Sequence, residues 1–564
     1  MSRFARVFSI AILASVGYSP VASAVTFGHY DADLLPEPPC AEGLDLVFGM
    51  LAVAAQRVAG AEAPPSPRRT PVPPGMVALP AGGVALGSRA EEGNAVEHPR
   101  HWVQLDAFAL DRTEVTQGAY GQCVAAGKCA PPQLPAGATP SDDAQPVTGV
   151  RWLDAADFCA WSGKQLPTEA QWEYAARGAG QDISHPWGDE LATCRRAWMT
   201  DAKPGCGAQR LTTPCQIPAG SSPQGICDLV GNVWEWTADW YAPYQPDAVW
   251  NPRGPAQGLA RVVRGGSWLE FVHSARAAAR APRLPETRAV DLGFRCAAPL
   301  TDAVTVASQA VAPLAGDAQP WSPESSPHTD PGTGLRYIWL PGGSFTFGCE
   351  PSDSHCFADE KPGVVTQVDG FWLGEIDVTA AGYHACVLAG VCGAADSSGS
   401  CNARVAERQQ HPANCVSAYQ AEVFCTWAGA RLPTAIEWEF AAKGGEGRVY
   451  PWGSADVGPT RTNYCDKRCG GLHPDWMWPD KKADDGWAAT APVGSFPLGA
   501  SRHGLLDMVG NAAQWTATPH GVQAREVRGG GWDLYARYLR NSARTALPPS
   551  HWFDNVTIRC ARSR

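Results

Sequence analysis

What this 564-residue chain lacks narrows it first. It has no excess of positive charge: 45 Lys and Arg stand against 56 Asp and Glu, a formal net charge of −11. Such a surface repels phosphate backbones, so nucleic acid is not an expected partner. No apolar run after the N-terminal segment is long enough to cross a bilayer. The 13 histidines are scattered, so no histidine-rich metal-binding domain is present, and His98 and His101 read as loop surface residues. Ser267 follows two glycines but lacks the Gly-x-Ser-x-Gly elbow of a hydrolase, and reads as a turn serine. Acidic pairs such as Glu169 with Glu173 read as solvated or capping groups without a glycosidase arrangement. Although the chain has 19 cysteines, none lies between residues 265 and 295 or between 529 and 559.

What is abundant is glycine (59), proline (49) and tryptophan (23). Many glycines and prolines imply long ordered loops, and the tryptophans must pin those loops down with large rigid buried areas. The N-terminus reads as an export signal: Arg3 and Arg6, an apolar stretch from Val7 to Val16, then Ala22-Ser23-Ala24, with cleavage expected after Ala24. No cysteine sits at that site, so a lipoprotein anchor is not indicated. A periplasmic or secreted location makes disulfides the natural use of the cysteines. Cys123 with Cys129 and Cys386 with Cys392 form the same short staple at two places. Sequence proximity suggests Cys194 with Cys206, Cys215 with Cys227, Cys349 with Cys356, Cys401 with Cys415 and Cys465 with Cys469, leaving Cys40 over. Cys465, Cys469 and His473 have helical zinc-site spacing, but Gly470 and Gly471 should break a helix there, and a disulfide is favoured.

The chain repeats itself. Leu166-Pro-Thr-Glu-Ala-Gln-Trp-Glu-Tyr-Ala-Ala returns as Leu432-Pro-Thr-Ala-Ile-Glu-Trp-Glu-Phe-Ala-Ala. Gly231-Asn-Val-Trp-Glu-Trp236 returns as Gly510-Asn-Ala-Ala-Gln-Trp515, and Arg264-Gly-Gly-Ser-Trp268 as Arg528-Gly-Gly-Gly-Trp532. Leu166 and Leu432 are 266 residues apart, a period that means two whole domains rather than a solenoid. The expected organisation is a signal peptide (1–24), a short helix and Pro-rich linker (25–75), domain one (76–299), a linker (300–334) and domain two (335–564). Each domain should open with an edge strand and a turn. Thr168 with Gln171, and Thr434 with Glu437, read as capping boxes after Pro167 and Pro433.

These blocks, in this order, resemble the formylglycine-generating enzyme family, also called sulfatase-modifying factors. The resemblance implies an α+β fold of low regular secondary structure, distantly like C-type lectins, in two tandem copies. It also implies disulfides Cys159–Cys296 and Cys425–Cys560. Catalytic members oxidise a cysteine within Cys-x-Pro-x-Arg, using copper(I) held by two thiolates that follow the Gly-Gly-Ser-aromatic block. Here those positions are Glu270 and Ala275 in copy one, and Leu534 and Leu539 in copy two. None can hold copper(I), so no copper is expected. The resemblance implies structural calcium on Asp228, Gly231, Val233 and Glu235, and on Asn463, Tyr464, Asp485 and Trp487, although these residues would also serve simply to shape turns. In copy two Gln514 replaces the Glu of the first set, and in copy one Cys194, Cys206 and Cys215 occupy the region of the second.

Two functional readings follow. One is an exported, non-catalytic binding protein whose former substrate groove holds a peptide, protein or glycan. Its groove residues would be Trp268, Glu270, Phe271, His273 and Arg276, and Trp532, Asp533, Tyr535 and Arg537, although Trp268 and Trp532 would equally serve as core. The other is an oxidoreductase of the same family that uses an unrecognised metal or thiol site. Copy two also lacks the Gly293-Phe294 of the closing motif, having Thr557-Ile558 instead, so the two grooves should differ.

Overall fold

A computed structural model of the protein describes residues 71–564, apart from 136, 137, 139–141, 201–205, 207–210, 301–320, 323, 325, 352, 454, 455 and 522. The export signal, the short helix, most of the Pro-rich linker and Cys40 lie outside the described residues. The first domain runs through β1 (Met76–Leu79), β2 (Gly82–Leu86), β3 (His101–Leu105), β4 (Phe108–Asp111), α1 (Gln117–Ala125), α2 (Trp152–Trp161), α3 (Glu169–Ala176), β5 (Trp234–Trp240), β6 (Val249–Trp250), β7 (Arg261–Arg264), β8 (Arg280–Arg283), β9 (Leu292–Gly293) and β10 (Ala297–Pro299). Its strands pair as β1-β4-β10, β2-β3-β6 and β8-β7-β5-β9. The second domain has β11 (His328–Thr329), β12 (Arg336–Leu340), β13 (Gly343–Phe347), β14 (Val364–Val368), β15 (Phe371–Gly374), α4 (Ala380–Leu388), α5 (Ala418–Trp427), α6 (Ala435–Lys443), α7 (Lys467–Leu472), β16 (Ala513–His520), β17 (Ala524–Arg528), β18 (Arg544–Leu547), β19 (Val556–Thr557) and β20 (Ala561–Ser563). Its sheets are β11-β12-β15-β20, β13-β14 and β18-β17-β16-β19, the first domain's plan with β11 added and, among the described residues, no counterpart of β6. The fold is thus a tandem α+β one in which short elements are joined by long ordered loops.

The local signals act as their chemistry predicts. Thr168 Oγ1 accepts from Gln171 N at 3.1 Å while Gln171 Oε1 accepts from Thr168 N at 2.9 Å; Thr434 and Glu437 do the same at 3.2 and 2.8 Å. Ser417 and Gln420 build a further box at α5. Two expectations are corrected. The second domain's opening strand, β12, is not an edge strand, because β11 pairs with it from inside the stretch read as linker. Gly470 and Gly471 do not break a helix: Asp466 caps α7 through Arg468 N and Cys469 N at 2.7 and 3.3 Å, and Gly470 packs where a Cβ would stand 2.9 Å from Pro479.

Nine disulfides close, all in the pairings set out above, including the long-range Cys159–Cys296 and Cys425–Cys560. Among the described residues no helix is long and apolar enough to cross a membrane. The many disulfides are consistent with a secreted or periplasmic protein. The two domains share packing. Tyr419 of α5 joins the first domain's core with Phe158, Trp236 and Phe294, while Tyr241, Ala260 and Val262 join the second domain's core.

The long-range cross-links span 137 and 135 residues, the short staples 6. Loop-closure entropy gives about 5 kcal/mol for each long link and about 2 kcal/mol for each short one. Cys159→Ala/Cys296→Ala should therefore lower unfolding free energy more than Cys123→Ala/Cys129→Ala in denaturant titrations; equal losses would show that chain entropy does not set their contribution.

Candidate functional site

Each domain is locked by a buried carboxylate on its third helix. Glu173 of α3 is fully buried and accepts from Gly87 N at 2.9 Å, from Arg177 Nε at 2.8 Å and from Arg264 Nη2. Arg264 then donates to the carbonyls of Ala277, Ala278 and Ala279 at 3.0, 2.8 and 3.1 Å. The second domain repeats this with Glu439, Gly348 N at 2.7 Å, Lys443 at 2.9 Å and Arg528, whose guanidinium holds Ser542 O and Ala543 O at 3.2 Å. The reading of Glu169 and Glu173 as solvated or capping groups is therefore wrong. Glu169 is also buried, and pairs with Arg280 at 2.7 and 2.9 Å. Burial works to raise the Glu173 carboxyl, but Arg264 and Arg177 hold it below the usual range. Between this clamp and the groove lie Gly265 and Gly529, at φ +97° and +95°, where a Cβ would come within 3.1 and 3.2 Å of the Trp172 and Trp438 rings. Only glycine lets the chain turn there over a buried indole.

Past that turn lie the positions assigned by resemblance to reactive cysteines. Glu270 is buried and accepts from Trp234 Nε1 at 3.2 Å, and Ala275 is buried. A cleft of about 440 Å³ opens over Glu270. Its first-domain wall includes Trp234, His273, Arg276, Arg280 and Arg283; its other wall belongs to the second domain. In copy two the equivalent positions, Gly530, Leu534, Tyr538, Ala543, Arg544 and Leu547, line a smaller cavity of about 260 Å³ with Val527, Phe553 and Val556. The two sites thus share a place in the fold but not a chemistry: one is charged and roofed by its neighbour, the other mostly apolar.

The proposed groove residues divide. Glu270, His273 and Arg276 line the first cleft. Arg276 is fixed by Glu97 at 2.7 Å through both terminal nitrogens. Phe271 packs edge-on to His551 of the second domain, with ring centres 4.6 Å apart. Trp268 and Trp532 are buried in core clusters and do not line the cavities, because the Gly-Gly turn points them inward. Of the copy-two set, Asp533 holds Asn555 at 2.9 and 3.0 Å, Arg537 donates to His355 O at 2.9 Å, and Tyr535 is exposed against Tyr538. Sequence reasoning missed Arg280 and Arg283, although both are charged residues in a stretch otherwise rich in alanine. His98 and His101 are half-buried; His101 packs edge-on to Tyr244 at 4.7 Å.

Near the residues considered for calcium, carboxylates outnumber cations. Glu235 takes a bidentate bond from Arg295 at 2.7 Å, plus Trp172 Nε1 at 2.8 Å. Asp228 accepts from Cys215 N at 2.5 Å. Glu114, buried nearby, has one carboxylate oxygen without a partner, and burial followed by the Asp228 charge pushes its carboxyl well up. In copy two Gln514 takes the place of Glu235, accepting from Arg559 and Trp438, and Arg559 instead pairs with Asp377 at 3.0 Å. At the other set, Asp485 accepts from Tyr464 N at 3.0 Å and Trp487 N at 2.9 Å, and Asn463 donates to Ala489 O at 2.8 Å. Burial, against those backbone bonds, pushes the Asp485 carboxyl up to about 6. His473 is not poised for zinc: it stacks on Trp476 at 3.8 Å, beside the closed Cys465–Cys469 bridge.

A tandem α+β domain with a Gly-Gly turn under a cleft, closed by a Cys–Cys link between helix and last strand, is the class this site defines. The family profile described as "Sulfatase-modifying factor enzyme 1-like domain" matches residues 61–300 and again 323–564. The chain belongs to that family. The formylglycine-generating enzyme of Streptomyces coelicolor is 33% identical over 303 residues, covering 44% of this chain and 96% of its own. The inactive Cα-formylglycine-generating enzyme 2 of Mus musculus is 30% identical over 277 residues, 40% of this chain and 85% of its own. Among solved structures, PvdO from Pseudomonas aeruginosa is 26% identical, covering 43% of this chain and 100% of its own, with a TM-score of 0.36.

Glu173→Gln should cost about 3–5 kcal/mol, since it strips Arg264 and Arg177 of the charge they share in a buried site; a loss below 1 kcal/mol in chemical denaturation would remove the clamp from its role. A second expectation concerns pH. Burial pushes Asp291 up to about 6, against the hydrogen bond from Ser267. The folded state then binds the extra proton between about pH 4 and 6, so this group's contribution to stability falls as pH rises through that window and levels off above it. Relative to Asp291→Asn, wild-type stability should drop by about 1.4 kcal/mol per pH unit there; parallel profiles would refute the assignment.

Proposed function

We propose that the protein is an exported, non-catalytic member of its family that binds a peptide, protein or glycan in the first domain's former substrate groove. The observation that carries this is the exchange of reactive thiols for Glu270 and Ala275 in copy one, and for Leu534 and Leu539 in copy two, while the cleft above them persists. A carboxylate and aliphatic groups offer copper(I) no soft ligand, whereas a 440 Å³ cleft with mixed charge suits recognition. The 85% span of an inactive mouse relative supports the same reading without assigning a ligand. Purified signal-less protein, exposed to copper(I) and a Cys-x-Pro-x-Arg peptide in air, should yield no aldehyde by mass spectrometry. Conversion of the cysteine would overturn this reading and favour the oxidoreductase alternative.

Structural calcium is part of the proposal. In copy one, Glu114, Asp228 and Glu235 share one guanidinium, Arg295, and leave a buried oxygen unpartnered, an excess of hard anionic donors that fits calcium. With Glu235 already engaged by Arg295, Asp228 and the carbonyls of Gly231 and Val233 would hold the ion beside it. In copy two, Asn463, the Tyr464 and Trp487 backbone and the raised Asp485 carboxyl offer a second oxygen set. The ion would stiffen loops that have few regular hydrogen bonds. Metal analysis of the desalted protein should count calcium, Asp485→Asn should lower that count by one, and calcium should raise the melting temperature more at pH 7 than at pH 5, where a proton competes for Asp485. A protein that binds no calcium at either pH would remove this part of the reading.

A further inference from the structure

We propose that the cleft over Glu270 is a composite site in which the second domain completes the first domain's groove, and that Arg283 with Arg404 makes it a receptor for a carboxylate-bearing peptide segment. The inference rests on the groove-binding reading above and names its ligand class.

Arg283 is the unusual group. It ends β8, is only 4% exposed, and lines the cleft. Its guanidinium lies 4.0 Å from the Tyr419 ring centre, contributed by the second domain, and 5.6 Å from that of Trp234. Its one side-chain hydrogen bond among the described residues goes to Pro282 O at 3.1 Å, and the buried Asp291 carboxylate acts on it only through space, without a direct ion pair. A guanidinium buried this far is normally paired, because desolvating a cation without an anion is costly. The neighbouring cleft arginines obey that rule: Arg276 is held by Glu97 and Arg280 by Glu169. Arg283 therefore keeps N–H donors without a side-chain acceptor at the wall of a cavity, beside two aromatic rings. Arg404, exposed on the second domain's wall, also has no carboxylate partner among the described residues.

The rest of the cleft selects among anions. Glu270 and Asp396 stand on its walls, so a dianionic phosphate meets repulsion that a single carboxylate largely escapes. Ser550, whose hydroxyl has no partner among the described residues, adds a neutral donor and acceptor of the kind that pairs with peptide amides. A planar guanidinium matches a carboxylate in bidentate fashion. The pattern is confined to copy one: Leu547 and Leu534 occupy the positions of Arg283 and Glu270 in copy two.

The test is calorimetric titration of the whole signal-less protein with hexaglutamate, hexa-alanine, hexalysine and chitohexaose, alongside Arg283→Gln and Arg404→Gln. Hexaglutamate should bind at least tenfold more tightly than the other peptides and weaken with salt. Arg283→Gln should weaken it tenfold or more and Arg404→Gln severalfold, with unchanged melting curves. Should Arg283→Gln misfold, Arg404→Gln, on the surface, still decides. Unchanged hexaglutamate affinity in the folded variants overturns the inference, as does equal or tighter binding of hexa-alanine or hexalysine; either leaves groove binding itself intact. If none of the four probes binds, the inference and the groove reading fall together.

Discussion

The structure depends on one buried ion-pair clamp, used twice. Glu173 on α3 and Glu439 on α6 each receive an arginine from the strand that enters the Gly-Gly turn, and a backbone N–H from the glycine that directly follows β2 or β13. In a domain made mostly of loops, few ladders exist to fix one segment against another. A fully buried carboxylate that three groups must satisfy does that work, because leaving any of them unpaired at that depth costs several kcal/mol. The clamp tolerates Arg177 in one copy and Lys443 in the other, so it asks for charge and reach more than for a particular side chain. Through Arg264 and Arg528 it also fixes the carbonyls of 277–279 and 542–543, the stretch that bounds each cavity.

On that shared frame the two cavities have diverged. The exchange of Glu270 for Leu534 and of Arg283 for Leu547 turns a charged cleft into a mostly apolar hollow without disturbing the strands beneath. The domains are not equivalent in their contacts either. The second domain places α5 and the loop around Ser550 against β8 and Phe271, so it roofs its neighbour's groove, and Tyr419 is at once a helix residue of one domain and a core residue of the other. A tandem repeat here means two copies of a scaffold rather than two copies of a site.

Much of this was legible in the chain. The Leu-Pro-Thr blocks predicted helices with capping boxes because capping is local, and Thr168 with Gln171 needs nothing beyond three residues of backbone. The family resemblance carried the fold, and with it the long-range cysteine pairs. The hollow over the missing thiols could be placed, though not filled. What failed was burial. Glu169 and Glu173 read as surface carboxylates because nothing within a few residues reveals Arg264 and Arg280, which arrive from about 90 and 110 positions away. Gly470 and Gly471 read as helix breakers because nothing local reveals that Pro479 packs into the space left by Gly470's missing side chain. Trp268 and Trp532 stood undecided between groove and core until the turn at Gly265 and Gly529 fixed which way they point.

The sequence alone therefore determined the scaffold, its duplication, its cysteine-stapled chemistry and the lack of cysteine in residues 265–295 and 529–559. These depend on residue identity and local spacing. Tertiary structure decided which charges are buried and paired, and that Arg283 is buried without a direct ion pair. It also decided that the second domain closes the first domain's cleft. Those are properties of surfaces meeting across hundreds of residues, where partnership is set by packing rather than by order along the chain.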